Sequence, residues 1–208
     1  MAAFLALCVS ACIPQPMDRR APARPPALPN DSAAHRQCLA DLTALGARYR
    51  VLPDYRNAAG CSALNAVEMS AAGASITNLR ATQCPVARAL ARWVQGPVQS
   101  AARALYGQRV VRVETMGSYA CRTVRGTANA GLSEHAFANA IDVSGFVLAD
   151  GRRISVKEGW ATQGSDAAFL RRVRGAACRA FRTVLSPDYN AAHQNHFHLD
   201  MARRPYCR

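Results

Sequence analysis

The feature that most constrains the fold is "NHFHLD", Asn195 to Asp200, where polar and apolar side chains alternate without a slip. A period of two is the signature of a strand with two unlike faces. His196, His198 and Asp200 then share one face, while Phe197 and Leu199 share the other and pack on a core. The segment "NAIDVSGF" alternates in the same way, with Ile141 and Val143 inward and Asp142 outward. Two such strands in one sheet present His198 and Asp142 to a common point, with His135 arriving from the loop ahead of its strand. Four of the chain's five histidines, His135, His193, His196 and His198, fall in or within four residues ahead of these two segments. Scattered surface or hydrogen-bonded histidines are the plain alternative, and clustering beside a carboxylate argues against it. Two imidazoles and one carboxylate with a fourth position open form the ligand pattern of a catalytic zinc site.

The remaining periodicities predict an α+β fold: a small, mainly antiparallel sheet carrying the zinc site, flanked by helices and stapled by disulfides. "HRQCLADLTALG" places Leu39, Leu42 and Leu45 on one helical face and stops at Gly46, and "ARYRVLP" follows as a short strand. From Asp54 to Gln83 only a weak strand, Ala66 to Met69, is legible. "PVARALARWVQGPVQSAARALYG" reads as a helix broken or bent near Gly96-Pro97, with Trp93 in the core. "QRVVRVETM" alternates as a half-buried strand, and "AIDVSGFVLADGRRISV" as two strands joined at Asp150-Gly151. "SDAAFLRRVRGAACRAFRTVL" reads as one helix capped by Ser165 or Asp166, with Phe169, Leu170, Val173 and Ala177 inward.

The N-terminal "MAAFLALCVSACIPQP" reads as an export signal, residues 1–12. Its apolar run is far too short to span a bilayer. Small residues precede Cys12 as in a bacterial lipoprotein box, so lipidation is expected at Cys12 and localisation in the periplasm on a membrane anchor. No basic residue precedes the apolar run, as a signal should have, so an upstream start or a merely apolar terminus stays open. Residues 13–35, rich in Pro and Arg, read as a tether, and residues 36–208 as the folded domain. Six cysteines remain for that domain: Cys38, Cys61, Cys84, Cys121, Cys178 and Cys207. An even number in an exported chain predicts disulfides, with the pairing open. The formal net charge is +13, almost all from arginine, with Lys157 the only lysine. Such a chain is drawn to polyanions. The arginines are spread along it without a block, which argues against a nucleic-acid binder.

"SEHAFANAID" resembles the S-x-H-x-x-G-x-A-x-D motif of the zinc D-alanyl-D-alanine carboxypeptidases, murein endopeptidases and hedgehog-type domains. "HQNHFH" resembles their H-x-x-H-x-H closing motif. With "GSYACRTVRG", "SPDYNAAHQNHFHLD" and the terminal "YCR", the resemblance extends to the bacterial extensin-like C-terminal domain family, from about Cys38 to Arg208. It implies zinc ligands at His135, Asp142 and His198, one ion per chain. It also implies His196 beside the reacting water, His193 in an outer position of the proton chemistry, Arg122 near the substrate and Ser133 as a support. Ala138 stands where the motif has glycine, and a tightened turn with no lost ligand is expected. The implied activity is zinc-dependent hydrolysis of peptidoglycan peptides, with peptidoglycan or another wall polymer as partner. A zinc-retaining wall-binding module without catalysis is the alternative. The chain lacks the Ser-Pro repeats of a structural wall protein.

Overall fold

The computed structural model describes residues 32–124 and 130–208. The expected signal, Cys12 and nearly all of the tether lie outside the described residues. Ser32 opens the fold by accepting the His35 N–H at 3.1 Å, capping α1 (Ala33–Ala44). This helix buries His35, Cys38 and Leu42, while Leu39 and Leu45 are only partly covered. Gly46, at a φ of 61°, turns the chain into β1 (Arg48–Val51).

The Ala- and Asn-rich segment that gave little signal holds five short strands: β2 (Tyr55–Arg56), β3 (Ser62–Ala63), β4 (Ala66–Ala71), β5 (Ser75–Thr77) and β6 (Thr82–Gln83). Next come α2 (Cys84–Trp93), a π-helical turn (Val94–Val98) and α3 (Gln99–Tyr106). The turn is the expected bend. Pro97 has no N–H to give and its ring would meet the preceding turn, and the wider winding accommodates both. β7 (Val110–Gly117) precedes a 3-10 turn (Glu134–Phe137) and β8 (Ala140–Leu148). The Asp150-Gly151 corner joins β8 to β9 (Arg153–Ser155) as expected. A single turn, α4 (Val156–Gly159), leads to α5 (Ser165–Ala180), β10 (Thr183–Leu185), a 3-10 turn (Ala191–His193), β11 (Phe197–Asp200) and β12 (Tyr206–Cys207).

Two expectations about α5 need correction. Gly164 occupies its N-cap with no side-chain bond, because Ser165 and Asp166 lie inside the first turn. The Asp166 carboxylate is engaged elsewhere, accepting from the Tyr106 hydroxyl at 2.8 Å and from Arg152 at 2.6 Å. The helix also ends at Ala180 rather than Leu185. Phe181 turns extended and packs edge-on against Trp93 at 6.4 Å, and Thr183–Leu185 become a strand.

The sheet is larger and less uniform than expected. Ten strands join it in the order β1-β4-β5-β7-β8-β11-β10-β12, with β6 on β4 and β9 on β8. Most pairings are antiparallel, but β5–β7 and β10–β12 are parallel, so the sheet is mixed. Its apolar face, including Ile141, Val143, Phe146, Phe197 and Leu199, meets the helices in one buried cluster. Trp93 sits at the centre of that layer, 1% exposed, and its indole N–H donates to the Val173 carbonyl at 2.9 Å. The inward phase of β8 shifts between Val143 and Phe146, where its register with β7 slips. Gly145 occupies the slip because a Cβ there would lie 2.9 Å from the Ile154 carbonyl oxygen.

Three disulfides fix this frame: Cys38–Cys84, Cys61–Cys121 and Cys178–Cys207, with Cα separations of 6.1, 5.6 and 5.8 Å. They use all six cysteines expected to pair. Respectively, they tie α1 to α2, the end of the β2–β3 loop to the segment carrying Arg122, and α5 to the C-terminal strand.

Candidate metal centre

β8 and β11 pair antiparallel with His198 opposite Asp142, so both side chains leave the sheet from one face, side by side. His135 reaches the same point on the 3-10 turn. Ser133 caps that turn, its hydroxyl accepting the His135 backbone N–H at 3.4 Å. Ala138 closes the turn at a φ of 54°, in the left-handed region that glycine occupies freely. An alanine there carries about 1–2 kcal/mol of backbone strain. Its methyl group is fully buried beside Ala63 and Ala66, which offsets part of that strain.

Three side chains converge through four atoms. His135 Nε2 lies 3.1 Å from His198 Nδ1 and 3.1 Å from one Asp142 oxygen, and His198 Nδ1 lies 3.0 Å from the other. All three side chains are largely buried. The protons on both rings are fixed by their outer partners. His135 Nδ1 is 2.6 Å from the Ser118 carbonyl oxygen, which can only accept, so that nitrogen carries the hydrogen. His198 Nε2 is 2.9 Å from the buried Asp200 carboxylate and donates to it in the same way. Both inner nitrogens of the neutral rings are therefore lone pairs, aimed at each other and at a carboxylate.

Three acceptors this close require a cation between them, either a proton or a metal ion. The donor set fits zinc. Two imidazole nitrogens and a carboxylate oxygen at zinc's usual bond lengths of about 2.0–2.2 Å would stand roughly 3.3–3.5 Å apart on a tetrahedron. The distances found fall a few tenths of an ångström short of that. His135, Asp142 and His198 are also the group of described residues whose ligand atoms lie close enough together to hold an ion. Outer oxygens that fix tautomer and ring direction, as Ser118 and Asp200 do here, are the usual support of metal-binding histidines.

Without a metal, a proton takes the central place. Burial opposes charge on His198, but hydrogen bonds and charge from Asp142 and Asp200 outweigh it and raise the imidazole to about 9. Burial likewise works against the Asp142 carboxylate, and the two histidines overcome it, holding the group well below the usual range.

His196 and His193 stand beside the same cluster. His196 precedes β11 rather than lying within it, and its Nε2 stands 3.5 Å from an Asp142 oxygen. Its Nδ1 is paired with Asn195 Oδ1 at 2.8 Å. His193 Nδ1 is paired with Asn190 Oδ1 at 2.7 Å, and the same oxygen accepts the Ala192 backbone N–H, which fixes the orientation of that amide. The His193 ring lies 5.2 Å from that of His196 and 5.9 Å from that of His198. Burial first, then the neighbouring imidazoles, push His193 down to about 4; burial also lowers His196. Both rings are thus neutral near pH 7, each with its proton on Nδ1 and its lone pair on Nε2. Arg122 is exposed beside Cys121, and its charge acts on both rings, disfavouring their protonation.

His135, Asp142, His198, His196 and His193 thus stand in one cluster, with Ser133 capping the turn that carries His135 and the Arg122 charge acting on His193 and His196. Four orienting groups were not assigned from sequence: the Ser118 carbonyl, Asn190, Asn195 and Asp200. Asp200 alone left a signal, two residues beyond His198 on the same strand face.

Comparison with known proteins agrees with these blocks. The family model described as "Extensin-like protein C-terminus" matches residues 36–208. No curated protein and no solved structure matches the chain. A match over this much of the sequence makes the chain a member of the extensin-like protein C-terminus family.

Proposed function

We propose that this protein is a zinc-dependent peptidase, of carboxypeptidase or endopeptidase type, acting on peptidoglycan peptides in the bacterial cell envelope. The observation that carries the reading is the convergence of His135, Asp142 and His198, with contacts of 3.0–3.1 Å among them, beside two more histidines whose Nδ1 atoms are paired with asparagine oxygens. The motif resemblance to zinc carboxypeptidases and murein endopeptidases supports it. So do three disulfides, which suit an oxidising compartment, and a net charge of +13, which suits an anionic wall. Export and lipid anchoring at Cys12 belong to the same proposal.

His135, Asp142 and His198 would hold the ion, which when bound polarises a scissile carbonyl and acidifies water. His196, the nearer of the two free rings, accepts the proton released from water and returns it to the leaving amine. Its bond to Asn195 keeps Nε2, not Nδ1, as the accepting atom. His193 stands behind His196 as a second acceptor. Arg122 supplies fixed positive charge for a substrate carboxylate or a developing oxyanion. The alternative of a zinc-containing wall-binding module leaves the preset tautomers of His193 and His196 without a purpose, because neither ring is needed to hold an ion.

The test is incubation of the zinc-loaded protein with peptidoglycan fragments and mass analysis of the products. The His196→Ala variant is expected to lose cleavage while keeping zinc, and His198→Ala to lose the metal. Equal loss of metal in both refutes the division of roles. Absence of any cleavage at one zinc per chain refutes the activity.

A further inference from the structure

The ring contacts do not end at the histidines. Tyr189 packs edge-on against His193 at 5.3 Å, and Tyr206 against Tyr189 at 5.7 Å, so a line of rings runs from the metal centre to the C-terminal surface. Tyr189 is half-buried and Tyr206 is 45% exposed, among the few large apolar side chains so open to solvent. Neither belongs to the apolar core.

Both rings are held rigidly. Tyr189 lies in a turn closed by its own N–H to the Ser186 carbonyl at 2.9 Å, while Ser186 N–H donates to the Arg208 carbonyl at 2.7 Å. The neighbouring Asp188 is fixed by the Trp160 indole N–H at 2.8 Å. Tyr206 opens β12, which pairs with β10, and the next residue is locked by Cys178–Cys207. A disulfide and a strand pairing are an extensive arrangement for keeping an exposed tyrosine in place. Arg204 and Arg208 flank it, both exposed and without an ion pair among the described residues. Fixed aromatic faces bordered by unpaired guanidinium groups are suited to a ring that is apolar on its face and carries an anion at its edge.

We propose that Tyr189 and Tyr206, with Arg204 and Arg208, form a subsite for a carboxylate-bearing sugar of the substrate polymer, adjacent to the reacting bond. The inference rests on the hydrolase reading, which it deepens by giving the enzyme a grip on the glycan as well as the peptide. The apolar face of the sugar lies on the tyrosines, and its carboxylate meets the arginines. The sugar held here is a muramic acid whose own stem has been removed, because a stem amide leaves no free carboxylate; binding it places the stem of a neighbouring residue at the histidines and needs no metal.

The test measures binding, by calorimetry, to peptide-free glycan oligomers of alternating N-acetylglucosamine and N-acetylmuramic acid, whose lactyl carboxylate is free. The neutral N-acetylglucosamine tetramer serves as control. The acidic oligomer is expected to bind more tightly than the neutral one, and to weaken at about 0.5 M salt, where screening acts within a few ångströms. Tyr206→Leu, which keeps bulk but removes the flat face, is expected to lower affinity about ten-fold; the double change Arg204→Ala with Arg208→Ala is expected to abolish the preference for the acidic oligomer. His198→Ala is expected to bind like the unaltered protein. No binding of the acidic oligomer, or equal binding by Tyr206→Leu with an unchanged melting temperature, overturns the subsite. Cleavage of stem peptides without glycan binding overturns the subsite alone; glycan binding without cleavage overturns the hydrolase reading and leaves the subsite standing.

Discussion

Replacing Asp200 by asparagine keeps the shape of the side chain and removes one acceptor. In the native protein one Asp200 oxygen takes the His198 Nε2–H at 2.9 Å and the other the Ala202 backbone N–H at 2.7 Å, in a position 4% exposed. An amide has only one acceptor oxygen. If it stays with the backbone N–H, the amide NH2 faces His198 Nε2. The imidazole then meets a donor with a donor, or moves its proton to Nδ1, the atom that must face the ion. A buried donor left unsatisfied costs about 1–3 kcal/mol, and loss of such outer partners typically weakens metal binding about 10–100-fold. We expect zinc affinity to fall 10–100-fold, about 1.4–2.7 kcal/mol. Chelator competition at fixed pH measures this, with circular dichroism confirming the fold. The metal-free variant should also titrate His198 below about 9, since Asp200 contributes to raising it; NMR of the ring protons reads this directly. An affinity within two-fold of native in a folded variant refutes the orienting role of Asp200.

Two other perturbations follow from the same geometry. In the metal-free protein His198 holds a proton up to about 9, and a ligand must shed its proton to bind metal. Apparent zinc affinity should therefore rise by up to about ten-fold per pH unit through neutrality and flatten above about 9, with about one proton released per ion near pH 8; calorimetry in buffers of different ionisation heat measures that release, and none released refutes the assignment. Ala138→Gly removes about 1–2 kcal/mol of left-handed strain but also a buried methyl worth about 0.8 kcal/mol plus any cavity left behind. Stability in urea should change by less than about 1 kcal/mol, whereas Ala138→Val, branched and fully buried, should lose several; a Gly variant destabilised by more than about 2 kcal/mol shows that strain is not stored there.

How much of this was readable in advance depended on the range of the interaction that decides each feature. The opposition of His198 and Asp142 was legible because strand alternation writes facing directly into sequence, and β8 and β11 both bury their apolar positions. The helices were legible from Trp93, Phe169, Leu170 and Val173, whose spacing dictates a face. The two-residue strands β2, β3 and β6 were not, because their pairing is imposed by distant partners rather than by local pattern. Parallel pairing of β5 with β7 left no trace either, since register across a long connection has no local signature. The end of α5 was misplaced because Phe181, Val184 and Leu185 continue its apolar composition, and only the contact of Phe181 with Trp93 diverts the chain. In the site, the clustering of His135, Asp142 and His198 was legible and the groups that orient them were not. Ser118 acts through a carbonyl every residue owns, and Asn190 and Asn195 act through one oxygen whose direction only the folded chain defines.

The pattern of cystines would give an ion held by His135, Asp142 and His198 a place in the chain's covalent circuit. Cys38–Cys84 and Cys61–Cys121 interleave, closing one knot of sequence, while Cys178–Cys207 closes a separate loop. Among the described residues no cystine spans the stretch between Cys121 and Cys178, so a single peptide cut there leaves no cystine joining the two parts of the oxidised domain. His135 and Asp142 stand in that open stretch, and His198 lies inside the second loop. An ion held by these three is a fourth clasp, and it closes the gap the other three leave.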